Sequence, residues 1–271
     1  MPGFLDRHRA ARLMAAEGLD ALVLTQPESI TYAAGAFPGV ATFWRRAGAA
    51  FLLVPSAPHA PPVAIVGDLQ AGQFARQSGL ADVRSHRIWV ESMPYPAGLT
   101  DGPKRTPRPA QFDLAATLAL LAEALNEKGL VGGRIGLELG YVAAADFPAF
   151  EALPVRWADC TRLVERLRAI KSPAEIDLLR LAATYARAGL LAVFDAVRPG
   201  MDAVAMTAIW RDAAIAEAAR LGQTSPQSSW AYVSVAGDGF APGGPAQDGD
   251  VIKFDVGCVL SGYSSDGART V

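Results

Sequence analysis

The sequence predicts two domains of different class: an α/β unit over residues 1–160, followed by an α+β unit over residues 161–271. Three observations predict this. Up to about residue 140, short apolar runs alternate with amphipathic stretches, the order expected of a sheet with covering helices. Beyond residue 172 the order becomes helix, helix, strand, strand, strand. Between these regions stands a strong helix start, Ser172-Pro173-Ala174-Glu175, in which Ser172 caps, Pro173 takes the first helical position and Glu175 completes a capping box.

Taken in order, Leu5 to Glu17 reads as helix, with Gly18 suited to the position just past its end. Ala21-Leu22-Val23-Leu24 is a short buried strand. Ile30-Thr31-Tyr32 leads into a glycine-bearing loop through Gly35 and Gly39. Ala49 to Val54 and Val63 to Val66 read as strands, separated by a proline-rich turn from Pro55 to Pro62. Asp68 to Ser78 reads as helix, and Pro94 to Pro109, without periodicity, as a loop or flap. Asp113 caps a helix that carries Leu114, Leu118, Leu121 and Leu125 on one face and ends at Gly129. Arg134 to Leu139 returns to strand. The helix capped by Ser172 runs to about Val197 and stops at Pro199-Gly200. Asp202 then caps a second long helix to Leu221, ended by Gly222. Ser229 to Val235 and a terminal hairpin follow.

At 51% hydrophobic residues over 271 positions, the chain has ample material for a core. A net charge of −2 gives no electrostatic case for nucleic acid or an anionic membrane as partner. The densest basic stretch, Lys104 to Arg108, lies in a proline-rich segment and reads as a solvated loop. No apolar run reaches the length of a membrane span. The N-terminus carries Asp6, Arg7, His8, Arg9 and Arg12, which is not a secretory pattern, and the two cysteines form no CxxC. A reduced, cytoplasmic protein is expected. Cys258 is close in sequence to Asp255 and reads as a buried structural thiol. His8, His59 and His86 belong to no motif and read as surface or structural residues.

The residues richest in chemistry are Asp255 and Asp266, with Gly257, Ser261 and Gly262 between them. A hairpin centred between Leu260 and Ser261 sets Asp255 opposite Asp266, where Cβ atoms are roughly 4.5–5.5 Å apart and like charges repel. A cation between the two, or a shared proton, makes that geometry tolerable. Paired carboxylates suit hard or borderline divalent ions. Alternation puts Ile252, Phe254 and Val256 on one face and Lys253 with Asp255 on the other. The plain alternative stays open: Asp266-Gly267 is a turn dipeptide, and an Asp near a strand end is often only solvated.

Several segments together resemble the pita-bread metallopeptidases, the group of aminopeptidase P, prolidase and creatinase. Leu167 to Ile176, with Leu179-Arg180 and Ala182-Ala183, is similar to that family's domain junction, and Val197 to Gly200 to the turn between its first two helices. Gly249 to Gly257 looks like its first metal-ligand strand and Gly262 to Thr270 like its second. Gly18 to Val23 and Ser29 to Gly35 are similar to the creatinase-type N-terminal domain. The resemblance covers nearly the whole chain. It implies an α/β creatinase-type N-terminal domain followed by an α+β pita-bread domain, incomplete here, that holds two divalent metals. By motif match Asp255 binds one metal and Asp266 bridges both, with Mn, Co or Zn as the ions. A bridging hydroxide then attacks the peptide bond before proline in a proline-containing peptide. A homodimer is implied as well.

Three departures accompany the resemblance. The family's His and two Glu ligands fall beyond Val271, so the chain by itself is expected to be inactive. The substrate-facing His that the peptidases usually carry before the first ligand strand is absent from Gly237 to Pro245. The stretch Pro226 to Tyr232 is polar and aromatic, and Trp230 and Tyr232 are candidates for lining a substrate pocket or for packing in the core. Two other readings compete. A creatinase-like non-peptidase hydrolase works without metal, and a non-catalytic binding module uses the same fold for recognition. The aspartate pair counts against both.

Overall fold

Ala21–Leu24 is apolar throughout and buried on both faces, which makes it the centre of the first sheet (β1). The computed structural model describes residues 3–39, 41–88, 113–237 and 239–271. It divides into two units, Met1–Ile170 and Lys171–Val271. In the first, β1 pairs antiparallel with β2 (Phe51–Pro55), which pairs antiparallel with β3 (Val63–Gly67). β4 (Val83–His86) runs parallel to β3 at one edge. On the other side β5 (Arg134–Leu137) and β6 (Arg156–Asp159) continue the sheet in parallel. The order among the described residues is β4-β3-β2-β1-β5-β6. Because β1, β2 and β3 are covered on both faces, they read as unbroken apolar runs rather than alternating ones.

Alternate residues of these strands feed two cores. Leu22, Leu24, Leu52, Val54 and Val66 pack with Ala10 and Met14 of α1 (Arg7–Ala16), Ile30 of α2 (Pro27–Ala34) and further helical residues described below. The short α3 (Ala41–Trp44) and α4 (Asp68–Ser78), which supplies Phe74 to that core, follow in the chain. Val23, Phe51, Leu53 and Ile65 pack on the other side against Leu118, Leu121 and Leu125 of α5 (Leu114–Glu127) and Phe150 of α6 (Phe147–Glu151). The predicted apolar face of α5 and its Asp113 cap are both present, with the Asp113 carboxylate accepting from Ala116 N at 3.0 Å.

Some elements differ from expectation. Ile30-Thr31-Tyr32 lies inside α2, a helix begun by Pro27. The strand expected to reach Leu139 stops at Leu137, because Glu138 turns its carboxylate toward the start of α2 and Leu139–Tyr141 forms a 3-10 turn. The first unit runs past the expected end at residue 160 and takes in α7 (Thr161–Ala169). Leu163, Val164 and Leu167 of α7 are buried in the α1 core, and the Arg9 guanidinium donates to Leu167 O at 2.8 Å. The predicted Pro94–Pro109 flap, with its Lys104–Arg108 stretch, lies outside the described residues.

The second unit opens with the predicted capping box. Glu175 Oε2 accepts from Ser172 N at 2.6 Å, and Ser172 Oγ accepts from Glu175 N at 3.4 Å, at the start of α8 (Pro173–Ala196). Then come α9 (Ala203–Arg220), β7 (Ser228–Val235), β8 (Ile252–Leu260), β9 (Tyr263–Ser264) and β10 (Gly267–Thr270). β8 is central, between β7 and β10, and also pairs with β9. One sheet face is apolar: Val233, Val235, Ile252, Phe254, Val256 and Leu260 pack on Tyr185, Val193, Met206 and Trp210 of the two helices. Helices on that side leave the opposite face to polar residues.

Candidate functional site

That opposite face is built from rows across three strands. Asp255 on β8 lies between Tyr232 on β7 and Ala268 on β10. Lys253 lies between Ser234 and Thr270. Gly257 lies opposite Trp230. Ser264 opposite Val259 and Gly267 opposite Val256 share one register, so Asp266 falls opposite Gly257. Ser265 turns its Oγ inward to Ala182 O of α8, at 3.1 Å, which leaves its neighbour Asp266 exposed on the outer face.

The register corrects one expectation. Asp255 opposes Ala268, not Asp266. The hairpin turns at Ser261-Gly262, where both residues have positive φ (48° and 81°), the conformation of a type I′ two-residue loop. That loop puts Leu260 opposite Tyr263 and moves every partner by two positions. A two-residue shift preserves the face. The two acids therefore stay on one surface as diagonal neighbours, a relation with roughly 7–8 Å between positions. Like charges are no longer directly apposed, and space is left between them.

Asp255 is half-buried and Asp266 exposed, and among the described residues neither accepts a hydrogen bond or joins an ion pair. Ionised carboxylates are acceptor-only groups. Two of them without protein partners fit part of a divalent-metal ligand set. No group of three or more His, Cys, Asp or Glu side chains is placed to hold a metal among the described residues. His8, His59 and His86 all lie in the first unit. The rings of His8 and His59 meet edge-on at 5.6 Å, and His86 is buried beside Ala49 O.

Both aromatic candidates lie on the aspartate face. The Trp230 and Tyr232 rings are 5.8 Å apart, and Phe240, which sequence reasoning did not single out, adds a third ring 5.6 Å from Tyr232. Tyr232 is 57% and Phe240 69% exposed, so this ladder is surface rather than core. The Trp230 indole lies over Gly257. A Cβ there would come within 2.4 Å of Trp230 Cε2 and 2.3 Å of Ser265 O, so the glycine beside Asp255 is what lets the ring settle. Trp230 Nε1 donates to Ser264 Oγ at 3.3 Å. Tyr232, Phe240, Lys253 and Asp255 border an open cavity of about 280 Å³. The alternation of β8, with Lys253 on the acid's face, was the available signal for this polar row.

Cys258 is fully buried on the opposite, helix-packed face, and burial pushes its thiol up to about 11. It is a structural thiol away from the acids. A third notable carboxylate, Glu138, lies in the first unit. It is 2% exposed and accepts from Thr25 N (2.7 Å), Gln26 N (2.9 Å) and Ser29 Oγ (2.6 Å). Burial raises its pKa above the usual carboxylate range, while those three bonds oppose the rise.

Two family models match the chain: the Creatinase/Prolidase N-terminal domain over residues 7–170 and Metallopeptidase family M24 over residues 177–271. The sequence is 30% identical over 158 residues to the uncharacterized hydrolase/peptidase y4tL of Sinorhizobium fredii, a match covering 54% of this chain and 39% of that protein. Among solved structures, an X-Pro aminopeptidase from Thermotoga maritima aligns with all of the chain and 65% of its own, at TM-score 0.69 and 17% identity. A Bacillus anthracis Xaa-Pro dipeptidase aligns with 97% of the chain and 64% of its own, at TM-score 0.69 and 20% identity. The dipeptidase PepE of Mycobacterium ulcerans gives 97%, 62%, 0.63 and 22% in the same terms. At such identities the structural likeness is one of fold. The chain spans less than two thirds of the length of each of these relatives. Among the described residues, no helix is long and apolar enough to cross a membrane.

Proposed function

The chain belongs to the creatinase/prolidase family of M24 metallopeptidases, and from that premise we propose that the whole protein is a metal-dependent peptidase of the Xaa-Pro aminopeptidase or dipeptidase type. What carries the proposal is the pair Asp255 and Asp266, two carboxylates on one sheet face without protein partners. In this reading Asp255 and Asp266 are the residues that would hold the divalent ions, with manganese, cobalt or zinc as candidates. Divalent metals at such a site supply Lewis acidity and ionised water at neutral pH. Trp230, Tyr232 and Phe240 stack against the apolar ring of the substrate's proline and orient it over the aspartate face. Gly257 leaves room for the Trp230 ring to lie against its strand, and the strand register puts that ring wall and the carboxylates on one surface. Two carboxylates without the rest of a ligand shell make a weak site, so activity is assigned to the whole protein rather than to these 271 residues. A homodimer and a cytoplasmic location complete the reading.

The test uses the full-length gene product and an Xaa-Pro dipeptide and tripeptide. Cleavage before proline is expected only with Mn, Co or Zn present. Asp255→Ala or Asp266→Ala should lower it by more than the roughly 10–100-fold that loss of a residue behind metal ligands costs. Cleavage that persists in a chelator, or a full-length product that binds no divalent ion, sinks the proposal. The exposed aromatic ladder favours one runner-up, a non-catalytic peptide-binding module. Peptide binding by the full product without metal and without turnover selects that alternative.

A further inference from the structure

Asp255 and Asp266 are held in place by different means. Asp255 sits inside β8, with a paired neighbour on each side, Tyr232 and Ala268. Asp266 lies in the break between β9 and β10. Across that break Ser265 N donates to Cys258 O at 3.0 Å, but the return bond runs from Cys258 N to Ser265 Oγ, also at 3.0 Å. A regular hydrogen-bonded pair exchanges two backbone bonds. Here a side chain supplies half of the pairing, so the backbone beside Asp266 depends on side chains for its position.

Two of those side chains reach α8. Strand alternation turns Tyr263 and Ser265 toward the helix, while Ser264 meets the Trp230 indole on the other face and Asp266 is exposed. On α8, Glu175 and Ala182 lie two turns apart on one side. The Tyr263 hydroxyl donates to Glu175 Oε1 at 2.6 Å, and Ser265 Oγ donates to Ala182 O at 3.1 Å. Glu175 is 2% exposed, and its Oε2 is the oxygen that closes the capping box with Ser172 N. A capping box needs only one oxygen of that side chain. The second oxygen is committed to the hairpin that carries Asp266.

We propose that Tyr263 and Glu175 are positioning residues for Asp266: their hydrogen bond fastens residues 261–267 to α8 and so fixes where the Asp266 carboxylate leaves the sheet. The fastening stands on geometry alone. Its service to a divalent ion rests on the peptidase reading. Metal–ligand distances hold to within about 0.2 Å, so a carboxylate on a loosened turn binds an ion weakly.

Two measurements on the full-length gene product test this, one without metal and one with Mn2+. Without metal, Tyr263→Phe is expected to speed amide hydrogen exchange roughly fivefold in residues 261–267 and not in β7 or α9, the local opening that loss of one such bond allows. Glu175→Gln, whose amide still serves both Ser172 N and the Tyr263 hydroxyl, should exchange like the wild type. By isothermal titration with Mn2+, Tyr263→Phe should weaken binding about tenfold, the lower end of what loss of a residue behind a metal ligand costs. In an Asp266→Asn background the same substitution should change Mn2+ binding by less than about twofold, because the residue acts through Asp266. Exchange unchanged by Tyr263→Phe, or raised equally throughout the second unit, overturns the proposal. So does a Mn2+ affinity that Tyr263→Phe leaves intact, or lowers equally with and without Asp266. If the exchange result holds but the wild-type product binds neither Mn, Co nor Zn, the fastening stands and the metal reading falls.

Discussion

Glu138 in the first unit and the Asp255–Asp266 pair in the second are carboxylates handled in opposite ways. Glu138 is taken almost wholly out of water, and its oxygens meet three donors at the start of α2. Asp255 and Asp266 keep contact with solvent and meet no donor among the described residues. A buried carboxylate survives only when hydrogen bonds replace its hydration, so Glu138 is part of the framework. Carboxylates held on a rigid strand with nothing to accept from are free for an external cation. The difference predicts separable phenotypes. Glu138→Ala strands the buried Thr25 N–H along with its neighbours and should cost about 2–4 kcal/mol in chemical denaturation. A loss below about 1 kcal/mol contradicts a framework role.

Gly257→Ala comes next in size. The added methyl meets Ser265 backbone and the Trp230 ring at 2.3 and 2.4 Å, and backbone cannot swing away as a flexible side chain can. A cost of about 1–3 kcal/mol is expected, together with displacement of Trp230 visible in near-ultraviolet dichroism. A smaller effect belongs to pH. The Glu138 carboxyl has a raised pKa in the folded state, chiefly through burial. The folded chain therefore retains that proton at pH values where the unfolded chain, near about 4.3, has lost it. Its contribution is complete below the unfolded value and fades as pH rises through the folded one, with a slope of at most about 1.4 kcal/mol per pH unit. Glu138→Gln, which keeps an acceptor for the backbone N–H groups, should remove that slope. An unchanged profile shows that another group sets it.

The sequence makes most of the second unit legible because its signals are local. The Ser172 capping box, the Asp202 cap and the alternation of β8 each depend on neighbouring residues. What it hides depends on contacts distant in sequence. Glu138 meets partners more than a hundred positions earlier, so nothing around it marks a buried acid. β4 and β6 are short, with no strong apolar run of their own, and are strands by virtue of their neighbours. α7 sits near a composition boundary, yet its Leu163 and Leu167 belong to the core that α1 builds. The hairpin register was readable in principle. A two-residue loop needs positive φ at both centres, and Ser261-Gly262 is the pair that permits it.

The smallest stability effect is the one that tests the contrast most sharply. Asp255→Asn and Asp266→Asn remove charges that make no hydrogen bond or ion pair among the described residues. Each should shift the stability of the metal-free chain by less than about 0.5 kcal/mol, the usual range for surface substitutions away from structural features. The sign should tilt toward stabilisation, since diagonal like charges on one sheet face repel. The same substitutions should abolish any rise in melting temperature that Mn or Co produces in the full-length protein, because stabilisation by a ligand tracks its affinity for the folded state. Stability lost without metal would place the pair in the framework beside Glu138. A metal-induced rise that survives both substitutions would move the ions elsewhere on the protein.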